Sequence, residues 1–311
     1  DVADRATSIY LPEGDSHMLP EALGTDFFSL HQGVDKPALL LEMKLDASGE
    51  LVSCTPEFSW VCVAENSNYE RTEELLENGT QSERDRHLHE VMKTGLELAE
   101  LLRERRIERG AVIIDRPEPE ITVHRDGDDV RVEIEEKPLC PGSQLVVSEF
   151  MVLANTAMAG WAQEQGLALL HRTQDVAIPK EYAGVWTEPA DIQSVVKILG
   201  ASILEATPKP HATLGAKAYA TMSSPLRRYP DLLNMAQIMA RLTGHGTERS
   251  KEELASLLPD LSSRLGAAGR YLQPAALRRL LRRMPRRKVR VQLPRFSINR
   301  PLALTALLGA P

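Results

Sequence analysis

Two adjacent arginines in the last third of the chain are its strongest candidates for chemistry. They stand in the segment Ser224-Pro225-Leu226-Arg227-Arg228-Tyr229-Pro230-Asp231. Ser224 suits a helix N-cap, Pro225 suits the first helical position, and apolar side chains follow at helical spacing, so the pattern predicts a helix over 225–242. Cations are disfavoured at the positive end of a helix dipole. Arginines there therefore indicate either a bound anion such as phosphate or salt bridges to acidic neighbours.

Further motifs stand at other points along the chain, in a fixed order. Residues 5–12 read Arg-Ala-Thr-Ser-Ile-Tyr-Leu-Pro, residues 18–22 read Met-Leu-Pro-Glu-Ala, and residues 148–155 read Ser-Glu-Phe-Met-Val-Leu-Ala-Asn. Together with the arginine segment they resemble the catalytic domain of the RNase II/RNase R (RNB-domain) family of exoribonucleases. The resemblance covers residues 1–245.

The resemblance implies a role for several side chains. Arg227 matches the position that contacts the scissile region, and a guanidinium grips phosphate oxygens bidentately. Arg228 is expected either to bind an adjacent phosphate in RNA or to pair with a neighbouring carboxylate. Tyr10 matches the tyrosine that stacks on the terminal nucleotide and so limits the final product length; the alternative is a core tyrosine. Glu149 and Asn155 are expected to be caps or buried structural partners.

Charge is distributed unevenly along the chain. The net charge is −7, but the segment from Arg264 to Arg295 contains 11 Lys or Arg and no Asp or Glu, so the rest of the chain carries −18. Such segregation is typical of a surface that binds a polyanion. The alternative is a basic amphipathic helix that packs against the body or a partner. The arginines predicted to point outward and bind RNA are Arg278, Arg279, Arg282 and Arg283.

The resemblance implies a metal site that this sequence does not show. The family holds Mg²⁺ with an aspartate-rich loop, and Mg²⁺ is therefore the expected cofactor. Here Asp1-Val-Ala-Asp4 runs directly into Arg5, without that loop. Either the loop lies outside this sequence or a natural deletion has removed it, and the abrupt junctions near Asp4 and Arg286 favour the first explanation. We assign no metal ligand from the sequence.

Periodicity predicts both strands and helices. Alternating residues predict strands over 38–63 and a hairpin around Asp126-Gly127, and helical spacing predicts helices over 69–109, 145–165 and 251–285. The elements do not alternate as βαβ units, which favours an α+β fold with an antiparallel or mixed sheet. We expect an RNB-like catalytic domain over 1–285 and a fragment of an S1/OB-type β-barrel over 286–311.

Composition restricts the class of protein. The 311 residues are 42% apolar and 26% charged, without an 18-residue apolar run or a signal-like N-terminus, which predicts a cytoplasmic protein with no membrane partner. The three cysteines lack metal-ligand spacing.

The resemblance implies a 3′→5′ exoribonuclease, which we expect to be a monomer. It would degrade single-stranded RNA hydrolytically to 5′-nucleoside monophosphates with Mg²⁺ and no other small-molecule cofactor. The alternative is a catalytically inactive member of the family that binds RNA 3′ ends. A third hypothesis is a scaffold that contacts RNA or a degradation partner through its basic segment.

Overall fold

The computed structural model describes residues 1–11, 14–116, 119–126, 129–136, 140–246, 248–272 and 289–292. The α-helices are α1 (Val2–Arg5), α2 (Tyr69–Asn78), α3 (Glu83–Glu108), α4 (Pro141–Glu164), α5 (Pro189–Leu199), α6 (Tyr229–Thr243) and α7 (Lys251–Leu272). The strands are β1 (Ile9–Leu11), β2 (Gly14–Ser16), β3 (Asp35–Leu45), β4 (Leu51–Cys62), β5 (Val112–Ile114), β6 (Pro119–Asp126), β7 (Asp129–Glu136), β8 (His171–Thr173), β9 (Gly184–Trp186), β10 (Ile203–Glu205) and β11 (Val289–Gln292).

The described strands form several small sheets rather than one large sheet. β1 pairs with β2, β3 with β4, β6 with β7 and β8 with β10, all antiparallel. β5 pairs with β9 and β11 with β7, both parallel. The mixed helix-and-sheet class is therefore confirmed. The expected S1/OB segment over 286–311 lies outside the described residues except for β11, and it stays a prediction.

The β3–β4 hairpin is the longest strand pair and matches the alternation in its sequence. Leu39, Leu41 and Cys54 lie on its inner face and pack against the main apolar cluster. The connecting turn is built by Asp46, whose carboxylate accepts the N–H of Ser48 at 2.8 Å. This local hydrogen bond is typical of Asx turns, and the position of the turn can therefore be predicted from the sequence.

Helix α4 is the central helix of the fold. Its buried face includes Met158 and Ala159, which pack with Leu169 in the main cluster. By length and composition, α4 is the one helix in the described part of the chain that could cross a membrane. Its contacts with α2, α3 and β4 are those of a core helix.

Helix α6 lies between two apolar clusters. Ile238 packs with Met158 of α4 in one cluster, and Leu233 packs with Leu254 of α7 in the other. Burying both faces of α6 fixes its rotation about its own axis. The chain segment that enters α6, which carries the two arginines, is thereby held in a defined position.

Two predicted helices differ from the structure here, and the end of a third is not tested. The helical pattern over 69–109 is two helices, because Gly79 ends α2 with φ +64°, a conformation that glycine adopts readily. The helix predicted over 145–165 starts earlier, at Pro141. The helix predicted over 251–285 is described to Leu272, and residues 273–285 lie outside the described residues.

One buried histidine gives the fold a predictable pH dependence. His171 is 2% exposed, and burial lowers its pKa to about 4. An unfolded histidine titrates near 6.5, so below that pH the unfolded chain binds more protons than the folded chain. The stability gained from neutral His171 is complete above pH 6.5 and declines as the pH falls towards 4.

We therefore expect His171→Phe to flatten the pH profile of stability. Between pH 7.5 and 5, the wild-type chain should lose about 2 kcal/mol more unfolding free energy than the variant. Urea unfolding followed by circular dichroism at both pH values measures this difference. An equal loss in both proteins would show that His171 does not control the acid response.

Candidate active site

The arginine segment forms a tight turn ahead of α6. The N–H groups of Arg227 and Arg228 both donate to the carbonyl of Ser224, at 3.2 and 3.0 Å. Helix α6 begins only at Tyr229, with Arg228 as its N-cap residue. The predicted helix start at Pro225 is therefore wrong, and Arg227 lies in the turn rather than in the first helical turn.

Pairing with the start of the chain explains why the helix begins late. Thr7 and Arg228 form an antiparallel β-bridge, and the carbonyl of Arg227 accepts the N–H of Ser8 at 2.9 Å. The Thr7 hydroxyl also donates to the Arg227 carbonyl, at 2.9 Å. Arg228 is consequently extended (φ −132°, ψ 121°) and cannot continue a helix.

A buried carboxylate holds the second arginine. Asp231 is 1% exposed, and its Oδ2 accepts hydrogen bonds from Arg228 Nη2 at 2.7 Å and Nε at 3.1 Å. The Ser224 N–H donates to the same oxygen, at 3.0 Å. Arg228 thus has the carboxylate partner that was one of its two predicted roles, and its contact with RNA stays a prediction.

Arg227 differs from its neighbour. Its side chain is exposed, and no carboxylate of the described residues forms a salt bridge with it. Its main chain is fixed by hydrogen bonds on both sides, while the guanidinium faces solvent. This arrangement suits the binding of an anionic ligand that comes from outside the chain.

Tyr10 lies on the same segment that bonds to the arginine turn. It is 47% exposed on β1, and its ring meets that of His17 edge to face at 6.4 Å between centroids. Two strand residues span about 7 Å, so Tyr10 follows closely after Ser8, which bonds to Arg227. The exposed ring of Tyr10 is available for stacking, and its contact with RNA stays a prediction.

Asn155 of α4 supports the chain leading into the arginine turn. Its Nδ2 donates to the Tyr219 hydroxyl at 3.0 Å, and its Oδ1 accepts the N–H of Met222 at 3.0 Å. Asn155 is 1% exposed, which agrees with its predicted role as a buried structural partner. Asn234 adds a second support, because its Nδ2 donates to the Thr221 carbonyl at 2.9 Å.

Burial changes the pKa of two neighbouring side chains, Tyr219 and His211. Burial raises the pKa of Tyr219, although the hydrogen bond from Asn155 and the charge of Arg228 oppose the increase. Burial, together with the charge of Arg172, lowers the pKa of the neighbouring His211 to about 4. At neutral pH Tyr219 is therefore protonated and His211 is neutral, so neither side chain carries a charge.

Sequence reasoning missed Asp231 as part of the site. The sequence does contain a signal for this pair, because the carboxylate of a residue three positions after Arg228 can reach the arginine across one helical turn. The contacts between Thr7, Ser8 and Arg227 join residues 220 positions apart. No local pattern predicts such a pair.

A metal site is not formed by the described residues. No three His, Cys, Asp or Glu side chains in the described part of the chain converge to hold an ion. Asp4, at the start of the chain, forms a salt bridge with Arg264, and this hydrogen bond lowers the pKa of Asp4. The described residues therefore do not fit a Mg²⁺ centre.

Arg278, Arg279, Arg282 and Arg283 all lie outside the described residues. Their role in RNA binding stays a prediction from charge and spacing.

Known proteins are similar to this chain in sequence and in fold. The RNB domain family matches residues 1–244. A protein of Synechocystis sp., named an uncharacterized ribonuclease, is 32% identical over 260 residues, which cover 82% of this chain and 37% of that protein. The chain thus spans well under half of this relative.

Two solved structures show the same fold. Mycoplasma genitalium RNase R, in complex with ribose-methylated single-stranded RNA, gives a TM-score of 0.73 at 18% identity, covering 90% of this chain and 50% of that one. Yeast Ssd1, described as a pseudonuclease, gives a TM-score of 0.59 at 17% identity, covering 86% and 36%. The RNB domain match extends over most of the present chain, and this chain therefore belongs to the RNB-domain family.

Proposed function

We propose that the chain is the catalytic region of a 3′→5′ exoribonuclease that hydrolyses single-stranded RNA to 5′-nucleoside monophosphates. The observation that carries this proposal is the exposed Arg227 on a turn whose main chain is fixed on both sides. Membership of the RNB-domain family and the likeness to an RNA-bound RNase R support it.

Arg227 and Tyr10 would act on the same end of the substrate. The guanidinium donates paired hydrogen bonds to oxygens of the scissile phosphate and stabilises the negative charge that develops during cleavage. The ring of Tyr10 stacks on a terminal base and holds the phosphate at a fixed distance. Stacking works on any base, so the expected enzyme has little sequence preference.

Mg²⁺ is proposed as the cofactor from the family resemblance alone. The described residues supply no ligand set for it, and we assign it no step. What this chain contributes is the phosphate contact of Arg227 and the terminal stacking of Tyr10.

Incubation with a 5′-labelled single-stranded RNA tests the proposal. We expect degradation to one short labelled product with Mg²⁺ present, and intact RNA with EDTA. A DNA strand of the same sequence and an RNA that carries a 3′-phosphate are the matched controls. A denaturing gel resolves the products, and intact RNA under all conditions would contradict the nuclease proposal.

The second candidate is a protein that binds RNA 3′ ends without cleaving them. The fold likeness to a pseudonuclease supports it. Tight binding of intact RNA, weakened by a 3′-phosphate, would support this candidate. Strong salt dependence without preference for the 3′ end would instead favour the scaffold hypothesis.

Tyr10→Ala should change the length of the final product. Without the ring, the terminal nucleotide loses its stacking partner, worth about 1–3 kcal/mol, and the end of the RNA is no longer held at a fixed position. Sequencing-gel analysis should show an end product lengthened by one or more nucleotides. Tyr10→Phe keeps the ring and is the control. An unchanged product from Tyr10→Ala would show that Tyr10 is not the terminal clamp.

A further inference from the structure

One oxygen of Asp231 connects the two ends of the arginine turn. Asp231 Oδ2 accepts the main-chain N–H of Ser224 and two N–H groups of Arg228, all within 3.1 Å. Ser224 opens the turn and Arg228 closes it, so Arg227 stands between two residues tied to the same buried atom. The family resemblance assigns Asp231 no role, and its hydrogen bonds to Ser224 and Arg228 enclose the position of Arg227.

Other contacts extend this support. Arg228 Nη2 also donates to the Ser223 hydroxyl at 3.3 Å, and the same hydroxyl accepts a bond from Asn155 Nδ2 at 3.4 Å. On the opposite side, Thr7 and Ser8 hold the carbonyl of Arg227. The turn is therefore bonded to α4, to α6 and to the start of the chain.

We propose that Asp231 is a positioning residue for Arg227, acting through Arg228 and the Ser224 N–H. A guanidinium on a loose turn must be ordered when RNA binds, and that ordering lowers affinity. Asp231 holds the turn in one conformation before RNA binds. This inference rests on the proposed contact between Arg227 and an RNA phosphate, and it assigns Arg228 a structural part in that contact.

Asp231→Asn tests the inference. The amide removes the charge that pairs with Arg228, and its single acceptor oxygen must serve the Ser224 N–H and both Arg228 donors without that charge, so the common anchor of the turn is weakened. Binding of a 5′-fluorescein single-stranded RNA is measured by anisotropy in EDTA at several salt concentrations. We expect Kd to rise about tenfold and the slope of log K against log salt to fall by about 0.7, as for one lost phosphate contact.

Non-additivity separates positioning from general damage. If Asp231 acts through Arg227, the double variant with Arg227→Ala should bind no more weakly than Arg227→Ala alone. Arg228→Gln breaks the same pair from the other side and should behave alike, so the test does not depend on one variant folding. The inference would be overturned if the losses of RNA-binding free energy of the single variants add in the double variants.

Glu73→Gln is the matched control. Glu73 is a buried carboxylate that accepts the N–H groups of Gly142 and Ser143, at 3.0 and 2.7 Å, about 18 Å along α4 from Asn155. Its replacement should lower stability without changing Kd or the salt slope, and an equal effect of both substitutions would overturn the inference. An effect of Arg227→Ala without one of Asp231→Asn would refute positioning alone, whereas no effect of Arg227→Ala would refute the proposed phosphate contact as well.

Discussion

Arg227→Ala is expected to lower the rate of RNA degradation by about 100- to 1,000-fold. The expectation follows from the loss of a charged donor directed at the phosphate, where charge develops in the transition state. The turn should survive the change, because the hydrogen bonds that fix it use the main chain of Arg227 and not its side chain. Single-turnover degradation of labelled RNA with Mg²⁺ measures the effect on the chemical step.

Two control variants make this result specific. Arg227→Lys keeps the charge but loses the planar fork, so its activity should lie between those of the wild type and the alanine variant. Arg84→Ala removes an exposed arginine from α3 and should leave activity unchanged. If Arg227→Ala and Arg84→Ala degrade RNA at the same rate, Arg227 has no part in cleavage.

The sequence predicted the local elements of the fold well. The β3–β4 and β6–β7 hairpins and helix α4 all follow from patterns within a few neighbouring residues. Asp46 illustrates why, because its carboxylate bonds to the N–H groups of Ser48 and Glu50 and so builds the turn from local contacts. The prediction of a single helix over 69–109 is wrong at Gly79. Apolar residues at helical spacing lie on both sides of this glycine, but the glycine ends α2.

The site was predicted only as separate parts. Arg227 and Tyr10 came from motifs, but the hydrogen bonds that join their segments link residues more than 200 positions apart. Those contacts also overrode the Ser224-Pro225 start signal, because an antiparallel bridge at Arg228 requires an extended main chain. Local propensity predicted the helix, and tertiary pairing decided where it starts.

Glu149→Gln is expected to cause the largest loss of stability among the substitutions considered. Glu149 is 1% exposed, and Arg106 of α3 donates to both of its carboxylate oxygens, at 2.8 and 2.5 Å. Arg106 also donates to the carbonyl of Leu214, at 3.2 Å. The pair therefore joins α3, α4 and the segment that leads towards Tyr219.

Removing one charge from this buried pair leaves the other without compensation, which costs about 3–5 kcal/mol. Urea unfolding of Glu149→Gln measures the loss, and Glu97→Gln, which changes an exposed glutamate on α3, should alter stability by less than about 0.5 kcal/mol. Replacing both partners by apolar residues, as in Glu149→Leu with Arg106→Met, should recover part of the loss, because the buried Arg106 charge is removed together with its partner. The recovery is only partial, because Arg103 Nε, 3.9 Å from Glu149 Oε1, also loses its carboxylate. A loss for Glu149→Gln as small as that for Glu97→Gln would show that the ion pair does not hold these three elements together.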